Sequence, residues 1–282
     1  MQEAAQQRVL SWGLAQLRDL PWRHTRDPWA VLVSEVMLQQ TQVDRVIPRW
    51  FAFLAAFPTP HACAEASLGD VLRLWQGLGY PRRARNLHMA AQEVVALGEF
   101  PSTLTGLLAL PGVGNYTARA LRAFAFELDA AMVDTNIARV FARVAGQRLT
   151  AREVQVAADA ALPGEQAWAW NQCLMDLGAV LCRPRDPRCG DCPLRNDCEY
   201  HGVGDDPAVG SAGVSGKQSR FDGSDRQGRG RLVKALGAAP VAVAAIPAVM
   251  GWPDQPDRAL RVAATVVTDR LAVFDGETYR LP

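Results

Sequence analysis

Lysine is almost absent from this chain. Lys217 and Lys234 are the only two among 282 residues, against twenty-eight arginines, so residues 1–216 offer no side-chain amine for a Schiff base. Charge is nearly balanced as well. A formal net charge of +1 gives no broad signature of a nucleic-acid binder, and any such argument must come from local patches. No run approaches eighteen consecutive apolar residues, and Met1–Leu10 opens polar and uncharged, which leaves no candidate for a membrane span or a secretory signal. The expectation is a cytoplasmic protein with no membrane partner. Strand-like alternation is missing before residue 200, so the first two-thirds of the chain is expected to be all-α.

The length suffices for two or three compact units with real cores. Residues 1–20 read as an amphipathic helix with Val9, Leu10, Trp12, Leu14 and Leu17 on one side. After the loop Leu20-Pro-Trp-Arg23, Asp27 and Pro28 form a helix start, Asp as cap and Pro as opener. The helix that follows, through Trp29, Val31, Leu32, Val33, Val36, Met37 and Leu38, is apolar almost all round and is expected to be buried. Glu35 stands inside it. A carboxylate there is costly unless it is paired or keeps its proton, so it is either half of a buried salt bridge or a general acid whose pKa burial raises. Gln39-Gln-Thr-Gln42 closes the helix with neutral donors and acceptors, the kind that can fill a gap in a base stack. Arg73, Arg82, Arg83 and Arg85 then fall between positions 73 and 92 without an acidic residue. Such a cluster is a solvated helix face or, beside Tyr80 on the turn Gly77-Leu-Gly-Tyr80, a set of phosphate contacts around an aromatic wedge.

Leu110-Pro-Gly-Val-Gly-Asn-Tyr-Thr117 is the stretch around which the rest is organised. Pro111 ends one helix, Gly112 and Gly114 permit a tight turn, and a new helix begins near Asn115. Backbone N–H groups exposed at such a turn suit a phosphate oxygen, although the same turn also serves as a plain helix connector. Asp134, twenty residues beyond Gly114, precedes another helix and reads as an N-cap. The helix amides would then also hold it ionised, as a cation-stabilising carboxylate requires.

Cys182, Cys189, Cys192 and Cys198 follow the spacing C-x6-C-x2-C-x5-C. Four of six cysteines within seventeen residues of a cytoplasmic chain indicate metal rather than disulfides, and spacing alone leaves zinc and iron–sulfur both open. Arg183, Arg185, Arg188 and Arg195 make the same loop a candidate phosphate-facing surface, while Cys63 and Cys173 read as packed thiols. Residues 202–216 have the Gly/Ala/Ser composition of a flexible linker. Residues 217–282, with ten basic against seven acidic residues, read as helices at Arg226–Leu236, Val241–Met250 and Pro256–Val267, then two short strands across Asp275-Gly276. Three helices and a hairpin suggest a winged-helix-like module, whose net positive charge suits a second grip on a phosphate backbone.

Leu-Pro-Gly-Val-Gly at 110–114 resembles the hairpin of the helix–hairpin–helix DNA-binding element, and the chain resembles the endonuclease III superfamily. Pro21-Trp-Arg23 and the ten-residue run Ser34-Glu-Val-Met-Leu-Gln-Gln-Thr-Gln-Val43 narrow the likeness to the MutY-type adenine DNA glycosylases. That resemblance implies a mainly α helix–hairpin–helix glycosylase domain over 1–201, with the cluster loop at 182–198. It covers the linker 202–216 and the module 217–282 poorly, and the larger nucleotide-hydrolase-like domain common in the family has no room there. It further implies hydrolytic, monofunctional removal of adenine opposite 8-oxoguanine or guanine in double-stranded DNA, by a monomer. Glu35 protonates the base, Asp134 stabilises the sugar cation, and Tyr116, Asn136 and Asp176 support them. Arg23 and Arg26 line the base pocket, Gln39 and Gln40 fill the helix at the lesion, Tyr80 is the wedge, and Gly112 and Gly114 approach the DNA backbone. Cys182, Cys189, Cys192 and Cys198 carry a [4Fe–4S] cluster. Pro81 departs from a second Tyr common in the family. Tyr116 stands where the lyase branch has its lysine, which argues against strand-nicking chemistry, and a non-catalytic DNA-binding iron–sulfur protein is the remaining alternative.

Overall fold

Apolar segments cut by Pro and Gly fold as fourteen α-helices and one small sheet among the described residues, 2–214 and 220–282 of a computed structural model. In chain order the helices before the cysteine loop are α1 (Glu3–Leu14), α2 (Pro28–Leu38), α3 (Val43–Ala56), α4 (Pro60–Glu65), α5 (Leu68–Leu74), α6 (Arg82–Leu97), α7 (Leu104–Ala109), α8 (Asn115–Phe124), α9 (Thr135–Val144), α10 (Ala151–Ala160) and α11 (Ala167–Val180). No strand precedes residue 200 among the described residues, as the absence of alternation implies. The described residues of Met1–Val31, Ser102–Leu108 and Val113–Lys217 form one compact unit, and those of Leu32–Pro101, Ala109–Gly112 and Gln218–Pro282 a second. This grouping cuts across chain order: the C-terminal stretch packs with the helices α3 to α6.

In the first unit α1 lies on α11. Gly13 makes the close approach, since a Cβ there would fall 2.3 Å from the Cys173 sulfur. The buried face of α1 is Ala5, Val9, Leu10 and Gly13. Leu14, expected on that face, is more than half exposed at the last residue of the helix. Thr150 and Glu153 form a reciprocal capping box at the head of α10, which satisfies two otherwise unpaired N–H groups. Residues 203–214, linker-like in composition, run against this unit. Asp206 pairs with Arg143 at 2.6 Å, and the Ser211 hydroxyl accepts from the Leu149 N–H at 3.2 Å.

In the second unit, α12 (Asp225–Ala238) is capped by Ser224 and followed by β1 (Val241–Ala242), α13 (Ile246–Met250), α14 (Pro256–Thr268), β2 (Val273–Phe274) and β3 (Thr278–Arg280). The strands pair antiparallel in the order β1-β3-β2, with Val241 and Phe274 both opposite Tyr279. The sheet thus has three strands rather than two. Val241 and Ala242, read as the start of a helix, pair instead with the hairpin, opposite Tyr279 and Thr278. Gly228 lets α12 rest on Trp252, where a Cβ would lie 2.2 Å from the ring.

The arginines of α5 and α6 divide: the Arg73 and Arg82 side chains are more than half exposed, as a solvated face requires, while Arg85 is half-buried and Arg83 buried. Arg82 forks onto the Asp269 carboxylate with two bonds of 2.6 Å, and Arg85 donates to the Asp269 carbonyl at 2.5 Å. Arg73 reaches Asp70 and the Gly237 carbonyl. Arg83 is buried and donates to the carbonyls of Val36, Met37, Gln39, Leu78 and Gly79. It thereby closes the C-terminal end of α2, whose last carbonyls lack intrahelical partners. Asp70 balances Arg73 from within α5, whereas Asp269, which balances Arg82, lies far along the chain where a local count could not find it.

Candidate active site and cysteine loop

The hairpin follows from its glycines. Gly112 sits at φ +77, and a Cβ there would collide with Asn86 at 2.7 Å, so the turn needs glycine for both conformation and space. Gly114 caps α8 with no side chain and faces open space, leaving room for an anion at the start of the helix.

Asp134 caps α9. One carboxylate oxygen accepts from the Ile137 N–H at 2.7 Å and the other from the Asn136 amide at 3.0 Å. The Asn136 carbonyl oxygen accepts from Arg139 at 2.8 Å, and Arg139 also donates to the Gly178 and Cys182 carbonyls at 2.6 and 2.7 Å. Gly178 makes this possible: a Cβ there would stand 2.5 Å from the Asn136 Cβ. A continuous set of bonds therefore joins Asp134 to the first residue of the cysteine loop. The titration of Asp134 corrects the simple capping argument. Burial raises its pKa and outweighs the Ile137 N–H, the Asn136 amide and the Arg139 charge, which all lower it.

The four loop cysteines line one cavity together with Arg143, Leu181 and Tyr200. Arg143, itself buried, donates to the Cys182 sulfur at 3.3 Å, and the Cys198 thiol donates to the Arg143 carbonyl at 3.3 Å. Among the described residues no group of three or more His, Cys, Asp or Glu side chains closes to a single-ion site. The thiols ring a shared space instead, with a fixed cation to balance their charge once deprotonated. Burial pushes Cys192 up to about 11. Cys63 and Cys173 lie buried outside the loop, each pushed up to about 12 by burial, as expected of packed thiols.

The remaining candidate residues divide by their partners. Arg23 and Asp176 make a buried fork of two 2.8 Å bonds, and Arg18 adds a second cation to the same carboxylate. These cations, with hydrogen bonds from Arg23 and Arg18, hold Asp176 below the usual carboxylate range against the opposing effect of burial. Arg23 is thus a brace rather than an open donor. Arg26 pairs with Glu127 at 2.7 Å and lies over the Trp168 ring, but stays exposed. Glu35 is buried in the second unit at 4% exposure, while Asp134, Asn136 and the half-buried Tyr116 belong to the first. Gln39 is half-buried, and Gln40 and Tyr80 hold left-handed backbones at φ +57 and +47. Such conformations are uncommon outside glycine and cluster at functional turns. Sequence reasoning read Arg83 as a solvated or phosphate-facing residue rather than the brace of α2, and it missed Arg139 and Arg143. For the last two a signal existed: two arginines four apart on a helix that is otherwise apolar on that side.

A helix–hairpin–helix with a carboxylate heading α9 defines the class. Residues 33–163 match the family model described as HhH-GPD superfamily base excision DNA repair protein. The adenine DNA glycosylase of Mycolicibacterium smegmatis is 41% identical over 89% of this chain and 88% of its own length. That of Mycobacterium tuberculosis (strain H37Rv) is 43% identical over 89% and 86%. A thermostable thymine-DNA glycosylase of known structure superposes with a TM-score of 0.67 at 31% identity, over 70% of this chain and 94% of that one. The chain belongs to the adenine DNA glycosylase family. The mycobacterial likeness spans more than residues 1–201 can supply, so it extends into the C-terminal module, where the sequence alone had suggested little family support.

Proposed function

We propose that this enzyme removes adenine from double-stranded DNA where it is mispaired with 8-oxoguanine or guanine. It does so by hydrolysis, as a monomer in the cytoplasm. The observation that carries the reading is Asp134, a carboxylate held at the head of α9 by Ile137 and Asn136. The glycosidic bond is inaccessible inside the duplex, so the nucleotide is flipped out at a cost of a few kcal/mol. Tyr80, Gln39 and Gln40 fill the gap, and the amides around Gly112 and Gly114 hold a phosphate. Glu35 gives a proton to the leaving base, while Asp134 faces the positive charge that grows on the sugar, or bonds to it briefly. Tyr116 and Asn136 support that carboxylate. Asp176 acts at one remove by bracing Arg23, and Arg26 remains available to the base. The stretch 1–216 contains no lysine, so the products are free adenine and an intact abasic strand.

Cys182, Cys189, Cys192 and Cys198 suit a [4Fe–4S] cluster, because four thiols share one cavity with a buried arginine. Such a cluster supplies a rigid anchor for an arginine-bearing loop that faces phosphate. The domain reading is a glycosylase region over 1–201, with 217–282 as a winged-helix-like module. The test is incubation with duplexes bearing A:8-oxoG, A:G, A:T and thymine glycol, with and without alkali. Adenine release from the first two, with scission only after alkali, is the expected result. Thymine glycol removal with spontaneous nicking would replace this reading with a lyase.

A further inference from the structure

Tyr80 does not stand alone on its turn. The Arg226 guanidinium, carried by α12, donates to the Tyr80 hydroxyl at 3.0 Å and lies 5.8 Å from the ring centroid. Arg226 lies in turn 5.4 Å from the Phe221 ring, and Arg83 lies 5.5 Å from the Tyr80 ring and 5.4 Å from the Trp75 ring. Phe221, Arg226, Tyr80, Arg83 and Trp75 therefore form one ladder of alternating aromatic and guanidinium groups. All five belong to the second compact unit. Arg226 cannot drift from this place easily, because α12 is tied to α5 by the Arg73 bond to Gly237 and Asp269 gathers Arg82 and Arg229.

The geometry points to Arg226 as a positioning residue for the wedge: the C-terminal module orients the Tyr80 ring for entry into the base stack. This rests on the reading of Tyr80 as the wedge given above. Ordering a ring at the moment of flipping costs conformational entropy. A hydrogen bond to its hydroxyl and a cation near its face meet that cost in advance. Arg226 touches neither the leaving base nor the sugar in this scheme. Its effect is confined to how far the duplex opens, which distinguishes the module from a uniform grip on the backbone.

The full-length enzyme tests this with a duplex carrying 2-aminopurine beside the target adenine of an A:G mispair. Fluorescence reads unstacking, anisotropy of a labelled duplex sets saturation, and adenine release is timed in the same mixture. At saturation, Arg226→Ala and Tyr80→Phe are each expected to reduce the fluorescence rise and the single-turnover rate about fivefold, the scale of one hydrogen bond. The double variant loses no more than either alone, and Arg226→Lys, which keeps a donor, recovers most of the rise. A wild-type fluorescence rise in Arg226→Ala, or losses that multiply in the double variant, would overturn the inference. If the wild-type enzyme released no adenine, the glycosylase reading would fail instead, and the fluorescence of the wild-type complex would still report the wedge.

Discussion

The two carboxylates proposed for the chemistry sit in helices of opposite character. Every residue from Trp29 to Met37 in α2 is at most 5% exposed, Glu35 included. α9 instead has one apolar side and carries Asp134 at its head, where a backbone N–H and the Asn136 amide point at the oxygens. Burying an ionised carboxylate costs several kcal/mol unless partners offset it, and the first setting is the one proposed for the proton donor. The second supplies donors to a carboxylate that must meet positive charge. The lesson is that position along a helix, mid-length or N-terminal, decides whether free backbone N–H groups stand ready to meet a carboxylate.

Breaking the first setting should have the largest effect. Glu35→Gln keeps size and burial but removes the acid, and adenine release should fall by about a thousandfold or more while mispair binding stays within about threefold. Titrated binding with a parallel single-turnover assay checks it, and release within tenfold of wild type would exclude Glu35 as the acid. Next comes the anchor of α9. Cys192→Ser should cost bound iron, expected near four per chain in yellow-brown wild-type protein, and weaken duplex binding about tenfold before it slows release by bound enzyme. A colourless, fully active wild-type protein with one zinc would contradict this.

Gly178→Ala pushes a methyl into Asn136 and should destabilise by about 1–3 kcal/mol, read as a lower Tm, with release slowed as Asn136 shifts. The smallest effect sharpens the electrostatics. Burial places the Asp134 pKa above its ordinary value, so activity that needs the carboxylate should decline as pH falls through that raised pKa. Asn136→Ala removes a donor to the charged form, raising the pKa further and moving the acid limb of the pH–rate profile upward. Stability carries the matching sign. The proton held by folded Asp134 stabilises at low pH, and that stabilisation is lost as pH rises through the raised pKa. An acid limb that moved downward in Asn136→Ala would contradict the assignment.

Much of this site was legible in the chain. Gly112, Asp134 and the four loop cysteines announce themselves because their constraints are local: a positive φ, a cap, a spacing. Glu35 was visible because eight apolar neighbours surround it in sequence. The arginines were read less well. Arg82, Arg83 and Arg85 looked like an unbalanced patch, yet their partners are Asp269 and the carbonyls at the end of α2, and such pairing exists only after folding. Likewise, the extended start at Val241 depends on Tyr279 across the sheet, which no window around residue 241 contains.

Asp134→Asn tests the central claim most directly, because Asn caps a helix about as well as Asp but carries no charge. With an A:8-oxoG duplex at saturating enzyme, the account predicts an unchanged Tm within about 2 °C and adenine release slower by about a thousandfold. Release within tenfold of wild type at unchanged Tm would show that Asp134 is only a cap.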